Sequence, residues 1–414
     1  MNDLLKKISK VVFIFISILL FTACEKENHS KKREVIKRES FGMHIHSSSK
    51  NNYFRDLGYG SIRLWDTHTN WRLLEPKKGE YNFKELDQFV ALADNRNQEI
   101  LMTLGQPPNW ATGGQSATSY GKNYNSLPPT NIDDWRDYIE TIGTRYKGKI
   151  KYYEIWNEPN IKDFYSGSIA ELITLTKEAR DVLKKIDPQI KIISPSTTSP
   201  QFLDSYLKEG GKEYIDIVGV HLYVAKPEDM IASINRYKDV LTNNEVSKLP
   251  IWNTEFTWTN FKSVGINNEM PPEELAASFL SRALLIDFAM GIKRDFFYGL
   301  GYKFSDIKLV DKNNQKYITT SGIAYKNITS WLIGSTIESF TIKNDIFKVS
   351  VLFNNNRRGI IVWTNNESGL KRLYTVPSNY GKKDFTYSST GEIKKYSNGK
   401  IQLTNVPQLI YEEN

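Results

Sequence analysis

At 414 residues the chain is long enough to bury a large core without covalent staples, and its single cysteine rules out an internal disulfide. The formal charge of +8 is unevenly placed: two units fall in residues 1–23 and three in residues 24–38, which leaves +3 for the rest. Spread over that length, with no basic stripe or helix-turn-helix pattern, this excludes nucleic acid as a partner and gives an acidic polysaccharide only weak support.

The N-terminus is built for export. Lys6, Lys7 and Lys10 precede an apolar run from Val11 to Phe21, which is too short to span a bilayer but suits a signal-peptide core. The run closes in Phe21-Thr22-Ala23-Cys24, which resembles a bacterial lipobox. That resemblance implies a signal peptide over 1–23 and a lipidated Cys24, so that the protein meets a membrane of the cell envelope through its lipid anchor alone. An ordinary signal peptide with an incidental cysteine is the alternative. Residues 24–38 are charged and polar, lack the apolar content to fold, and read as a tether.

Strand-like apolar runs follow at Gly42–His46, Ser61–Trp65, Ile100–Gly105, Tyr152–Trp156, Lys191–Ser194, Ile215–Tyr223, Pro250–Glu255 and Asp295–Gly299. Segments of helical spacing separate them, such as Phe83, Leu86, Phe89, Val90 and Ala93, or Leu172, Leu175, Ala179, Val182 and Leu183. Asp187-Pro188 and Gly291 supply helix stops. Eight alternating units predict an α/β chain folded as a (β/α)8 TIM barrel over residues 39–335. After Trp331 the pattern turns to short alternating runs between Asn-rich turns, which predicts a small antiparallel β-sandwich-like domain over 336–414. Nothing in the pattern asks for more than a monomer.

Two of the predicted strands end in the same way. Glu158 closes Tyr152-Tyr153-Glu154-Ile155-Trp156-Asn157-Glu158-Pro159, and Glu255 closes Pro250-Ile251-Trp252-Asn253-Thr254-Glu255. In a parallel barrel such strand ends face the reaction. Paired carboxylates there suit glycosidic bond cleavage, where one carboxyl protonates the departing oxygen while a second acts from the other face of the sugar. A solvated loop glutamate is the alternative for either residue alone.

With these residues in view, the chain resembles clan GH-A glycoside hydrolases, most closely the family 39-like members, over roughly residues 40–335. Trp156-Asn157-Glu158-Pro159 looks like the acid/base signature of the clan. Ile62-Arg63-Leu64-Trp65-Asp66, then Glu75-Pro76, Gly79-Glu80-Tyr81 and Gly105-Gln106-Pro107-Pro108-Asn109-Trp110-Ala111 follow the order of family 39-like enzymes. The resemblance implies Glu158 as general acid/base, Glu255 as nucleophile and retention of anomeric configuration, with a carbohydrate substrate and no cofactor or metal. It also implies that Arg63 orients the nucleophile. Asn157 is placed to bind a sugar 2-hydroxyl, and His221 and Tyr223 close the sixth strand, where Tyr223 is a candidate donor to Glu255. Trp65, Trp110 and Trp258 are candidate sugar-stacking surfaces, with core filling as the alternative for each. Where many clan members carry a Trp near the end of strand eight, this chain has Tyr298, either as its substitute or within a rebuilt floor.

Two other functions compete. His44-Ile45-His46 ends the first strand as the metal site of amidohydrolase barrels begins, but a zinc site needs at least three protein ligands and only His68 and His221 remain in the body. The other is a surface lipoprotein that binds glycans on a barrel without catalysis, which the presence of both glutamates disfavours. The sugar, the linkage and endo or exo action rest on loops such as Ala111–Pro129, which either walls the cleft or leaves it open.

Overall fold

The computed structural model describes residues 34–46, 57–65, 67–114, 116, 118, 124–259, 273–300, 305–311, 317–365, 372–380, 384–396 and 398–412. The expected signal peptide, Cys24, the first part of the expected tether and Asp66 lie outside these residues. Among the described residues, eight parallel strands form one sheet: β1 (Phe41–His44), β2 (Ser61–Leu64), β3 (Glu99–Leu104), β4 (Tyr152–Ile155), β5 (Lys191–Ile193), β6 (Val218–His221), β7 (Ile251–Phe256) and β8 (Arg294–Tyr298). Their order is β5-β4-β3-β2-β1-β8-β7-β6, and parallel bridges Ile193 to Ile217 and Thr197 to Val220 join the two ends into a barrel. β6 is shorter than the run Ile215–Tyr223 suggests: Ile217 makes an isolated bridge to Ile193 ahead of it, and the strand ends at His221.

The helices are α1 (Trp71–Leu74), α2 (Lys84–Asn95), α3 (Ile132–Arg145), α4 (Ile169–Ile186), α5 (Pro200–Lys208), α6 (Asp229–Asn243), α7 (Glu273–Ala289) and α8 (Thr320–Leu332). Several starts are set by side chains that satisfy the first free N–H groups. Asn131 accepts from Asp133, Ser199 accepts from Phe202 just ahead of Pro200, and Ser168 forms a capping box with Glu171. None of the described helices is long and apolar enough to cross a membrane.

Inside the barrel, Leu101, Ile193, Ile217, Trp252 and Phe296 make an apolar plug. At its N-terminal end the Arg294 guanidinium lies over both the Tyr152 and Trp252 rings, 4.4 and 4.3 Å from their centroids, and pairs with Glu99 at 2.6 Å. Alternation along the strands then sends Arg63, Thr103, Glu154, His221 and Tyr298 inward above the plug, at the C-terminal end.

The chain continues into β9 (Thr336–Lys343), β10 (Ile346–Leu352), β11 (Arg358–Thr364), β12 (Arg372–Thr375), β13 (Asp384–Tyr387), β14 (Ile393–Lys395), β15 (Lys400–Leu403) and β16 (Gln408–Tyr411). These form a six-stranded antiparallel sheet, ordered β14-β13-β16-β11-β10-β9, and a β12-β15 pair. Period-two alternation splits β11 between two cores. Ile361 and Trp363 join Phe347, Val349 and Val351 in the large core of the barrel, while Ile360 and Val362 meet Val376, Ile401 and Leu403 on the other side. α7 is accordingly buried all round, from Ala276 to Phe288. From Val35 onward the chain is one compact unit. The end of the expected tether belongs to it, since the Ile36 amide donates to the Ser335 carbonyl at 2.9 Å and the Gly334 amide to that of Ile36 at 2.8 Å.

Candidate active site

Arg63 occupies the centre of the upper barrel, with no exposed surface. Its guanidinium donates to Glu255 at 2.6 Å, to Asn157 at 2.7 Å, and to both oxygens of Glu154 at 2.6 and 3.3 Å. Burial alone would lower its pKa, but the Glu154 and Glu255 charges and hydrogen bonds outweigh burial and hold it above the ordinary value. A planar fork is what one cation needs to reach three acceptors at once.

Glu255 arrives by way of an irregularity. Val220 pairs with Asn253 but His221 pairs with Glu255, so Thr254 is an extra residue in β7, a β-bulge. Without it Glu255 would share the outward face of Asn253; with it Glu255 points inward beside His221. There it accepts from Arg63 and from the Tyr223 hydroxyl, each at 2.6 Å. Burial pushes the Glu255 carboxyl upward, His221 and Arg63 oppose that push, and Glu158 adds to it. Tyr223 is 38% exposed, but its hydroxyl end is held well above the ordinary phenol value, by desolvation there first and Glu255 second, which keeps its proton available for donation.

Glu158 stands on a contorted strand end. Trp156 and Glu158 adopt φ of 70° and 45°, a region non-glycine residues seldom visit, which points to a position fixed by its surroundings. The surroundings are visible. The Glu158 amide donates to the Ser196 carbonyl at 2.8 Å, and the Trp156 indole donates to the Phe164 carbonyl at 2.8 Å. The Ser196 hydroxyl accepts from Thr254 at 2.8 Å, so Ser196 links the two strand ends that carry the glutamates. Only glycine fits opposite: a Cβ on Gly219 would lie 2.1 Å from the Ser196 Oγ.

The Glu158 Oε1 lies 2.7 Å from Nδ1 of buried His221. One oxygen of Glu158, one of Glu255 and a ring nitrogen of His221 all lie within 4.8 Å of one another. The two carboxyls therefore face each other across one small chamber, as a pair acting on the same bond must. Asn157 is buried against Arg63, as that hydrogen bond requires.

Two further buried residues join the site: Glu154, which the sequence did not single out, and His44, which it raised as the start of a metal site but which is placed as a polar residue of the chamber. Glu154 is fully buried and takes Arg63 and the Thr103 hydroxyl; its signal is parity, since it lies two residues after Tyr152, whose ring packs on the apolar plug inside the barrel. His44 lies 3.8 Å from Glu255 and edge-on to Tyr298 at 4.4 Å between ring centres. Burial, then Arg63, hold its pKa well below the ordinary value, so it stands neutral. It therefore belongs beside the carboxylates. The cluster of potential ligands that does converge, Glu158, His221 and Glu255, has Glu255 already engaged by a cation, which opposes a metal there.

The tryptophans are used differently. Trp65 and Trp258 are each only 4% exposed. Trp65 packs edge-on against Phe164, and Trp258 donates to the Ala225 carbonyl between Phe256 and Phe279, so packing accounts for both. Trp110, half-buried, donates to the Glu75 carbonyl and packs edge-on against Trp71. Of the loop expected over 111–129, Asn125 is tied to Asn109, Thr112 and Gly114, which fixes its return to the barrel.

Comparison with known proteins places this geometry in a family. The model for glycosyl hydrolases family 39 matches residues 28–284, more than half of the chain. A β-xylosidase from Caldicellulosiruptor saccharolyticus is 26% identical over 212 residues, which is 44% of this chain and 41% of that protein. A second, from Geobacillus stearothermophilus, is 22% identical over 234 residues, 49% of this chain and 45% of that protein. The chain therefore spans under half the length of these curated relatives. A family 39 glycoside hydrolase from the gut symbiont Bacteroides cellulosilyticus WH2 shares the fold, with a TM-score of 0.71 at 19% identity over 92% of this chain and 82% of that one. The family match, over a closed barrel that brings two strand-end glutamates together, establishes that this chain belongs to glycosyl hydrolases family 39.

Proposed function

We propose that the protein hydrolyses O-glycosidic bonds of an oligo- or polysaccharide with net retention, Glu255 acting as nucleophile and Glu158 as acid/base. The observation that carries this reading is the asymmetry of the pair: Glu255 is gripped by Arg63 and Tyr223 at 2.6 Å each, whereas Glu158 meets only the His221 ring at that range among the described residues. Two strong donors favour the ionised form of Glu255. In the first step its carboxylate attacks the anomeric carbon while the proton of Glu158 passes to the departing oxygen, and the carbon–oxygen bond breaks. In the second, Glu158 takes a proton from water, the water oxygen bonds the anomeric carbon, and Glu255 leaves as carboxylate. Asn157, held by Arg63, presents its amide to the sugar 2-hydroxyl, and the neutral ring of His44 and the Tyr298 phenol line the same chamber.

β-Xylosides are the substrates to test first, because the curated relatives that the chain matches are named β-xylosidases. The lipobox-like Phe21-Thr22-Ala23-Cys24 supports a lipid-anchored protein of the cell envelope.

The test is a 2-deoxy-2-fluoro-xyloside with an activated leaving group, followed by peptide mass spectrometry. The expected adduct is on Glu255. With Glu158→Ala, azide should restore turnover and give a glycosyl azide of retained configuration. An adduct on Glu158, or an inverted azide from Glu158→Ala, reverses the two roles.

A further inference from the structure

Beneath the site, on the outer face of the barrel wall, two acids are buried together. Asp295 of β8 is register partner of Asn253 in β7, and both side chains face α7, which brings Asp287. Asp287 and Asp295 have almost no exposed surface and lie within hydrogen-bonding reach of each other. Asn253 donates to one Asp287 oxygen at 2.8 Å. The other Asp287 oxygen and both Asp295 oxygens make no well-formed hydrogen bond to a described group, although the Asn253 amide also lies near Asp295 and opposes, without cancelling, the effect of burial there. No described basic side chain forms an ion pair with either acid. The remaining titratable neighbour is Tyr325 of α8, whose hydroxyl is spent on the Gly42 carbonyl at 3.2 Å.

Two unpaired carboxylates in a dry core would be too costly to persist, and a single proton resolves the arrangement by turning one acid into a donor to the other. The pair then reaches the site in two further contacts. Asn253 spends its amide group on Asp287 and its oxygen on the Leu222 amide at 3.2 Å. Leu222 lies between His221 and Tyr223, and the same N–H also meets the Glu255 carbonyl at 3.3 Å. Asn253 thus closes the bulge that turns Glu255 inward.

We propose that Asp287 and Asp295 share one proton and, through Asn253, act as positioning residues that hold the bulge at Thr254 and so aim Glu255 into the chamber. The inference rests on the reading of Glu255 as nucleophile only for its catalytic consequence; the shared proton stands apart from it. Burial, and after it the facing Asp287 carboxyl, keeps Asp295 protonated far above the ordinary carboxylate range. The unfolded chain releases that proton near the ordinary value, so the native state binds the extra proton and stability falls as pH rises above the unfolded value.

Three measurements on the full chain test this. Infrared spectra at neutral pH should show a protonated-carboxyl band in the wild type that Asp295→Asn lacks and Glu158→Gln retains. Melting temperature should decline between about pH 5 and pH 9 more steeply in the wild type than in Asp295→Asn. On an aryl glycoside, Asp287→Ala should lose about tenfold in kcat with little change in KM, while Asp287→Asn, which keeps an acceptor for Asn253, recovers most of it. An unchanged infrared band in Asp295→Asn, or parallel pH–stability curves, overturns the shared proton. Equal kcat for Asp287→Ala and the wild type overturns the positioning role. A fluoro-sugar adduct away from Glu255 would sink the nucleophile reading instead, and leaves the infrared and stability results to decide the acid pair.

Discussion

Removing Arg63 should damage the fold before it damages chemistry. Arg63→Met deletes four hydrogen bonds and leaves Glu154, fully buried, with the Thr103 hydroxyl at 3.2 Å as its remaining donor among the described residues. Breaking a buried pair by deleting one partner costs about 3–5 kcal/mol, because the surviving charge stays desolvated. Adding Glu154→Gln removes that charge, so the double variant should recover about 2 kcal/mol of the loss, a coupling well above the scatter of independent sites. Urea unfolding followed by tryptophan fluorescence reads both quantities. Arg63→Lys separates stability from function: it keeps the charge and much of the stability, but one ammonium cannot hold Glu154, Glu255 and Asn157 together, so kcat/KM should still fall. A loss below about 1 kcal/mol in Arg63→Met, or strict additivity with Glu154→Gln, would refute the claim that this guanidinium neutralises the chamber.

Other expectations follow from the same geometry. Tyr223→Phe removes a charge-assisted donor worth about 1.5–3 kcal/mol, so kcat/KM should drop about 10- to 100-fold. Burial already raises the Glu255 pKa, and losing a donor to its carboxylate raises it further. A nucleophile works ionised, so activity lost as pH falls should be lost at higher pH in the variant; an acid limb that stays in place contradicts the assignment. Cys24→Ser should move the protein from the membrane fraction to the soluble one with its melting temperature unchanged, and continued membrane association would point to an uncleaved anchor.

Much of this was legible before the structure. All eight strands fall within a few residues of the apolar runs, because parallel strands buried on both faces leave an unbroken hydrophobic record. Both glutamates stand out because loop chemistry follows each strand end. What stayed hidden depends on parity and on distant partners. Glu154 reads as one polar residue inside a strand until Arg63 is seen across the barrel. The bulge at Thr254 leaves no compositional trace, since Asn253-Thr254-Glu255 looks like an ordinary strand end. Trp65 and Trp258 show a different ambiguity: aromatic residues near a sugar site suit stacking and core filling alike, and their burial favours packing.

The division of β11 between two cores bears on how this chain can be cut. Ile361 and Trp363 complete the same apolar mass as α7 and the barrel wall, so the C-terminal sheet takes the place that water or another helix would occupy beside a self-sufficient barrel. A catalytic fragment ending near residue 335 would expose that surface and precipitate, and an expression boundary drawn by analogy with detachable accessory modules would fail here. The same reasoning limits recombination. The last eighty or so residues cannot be exchanged for an unrelated sugar-binding module unless the apolar side of α7 is rebuilt as polar surface.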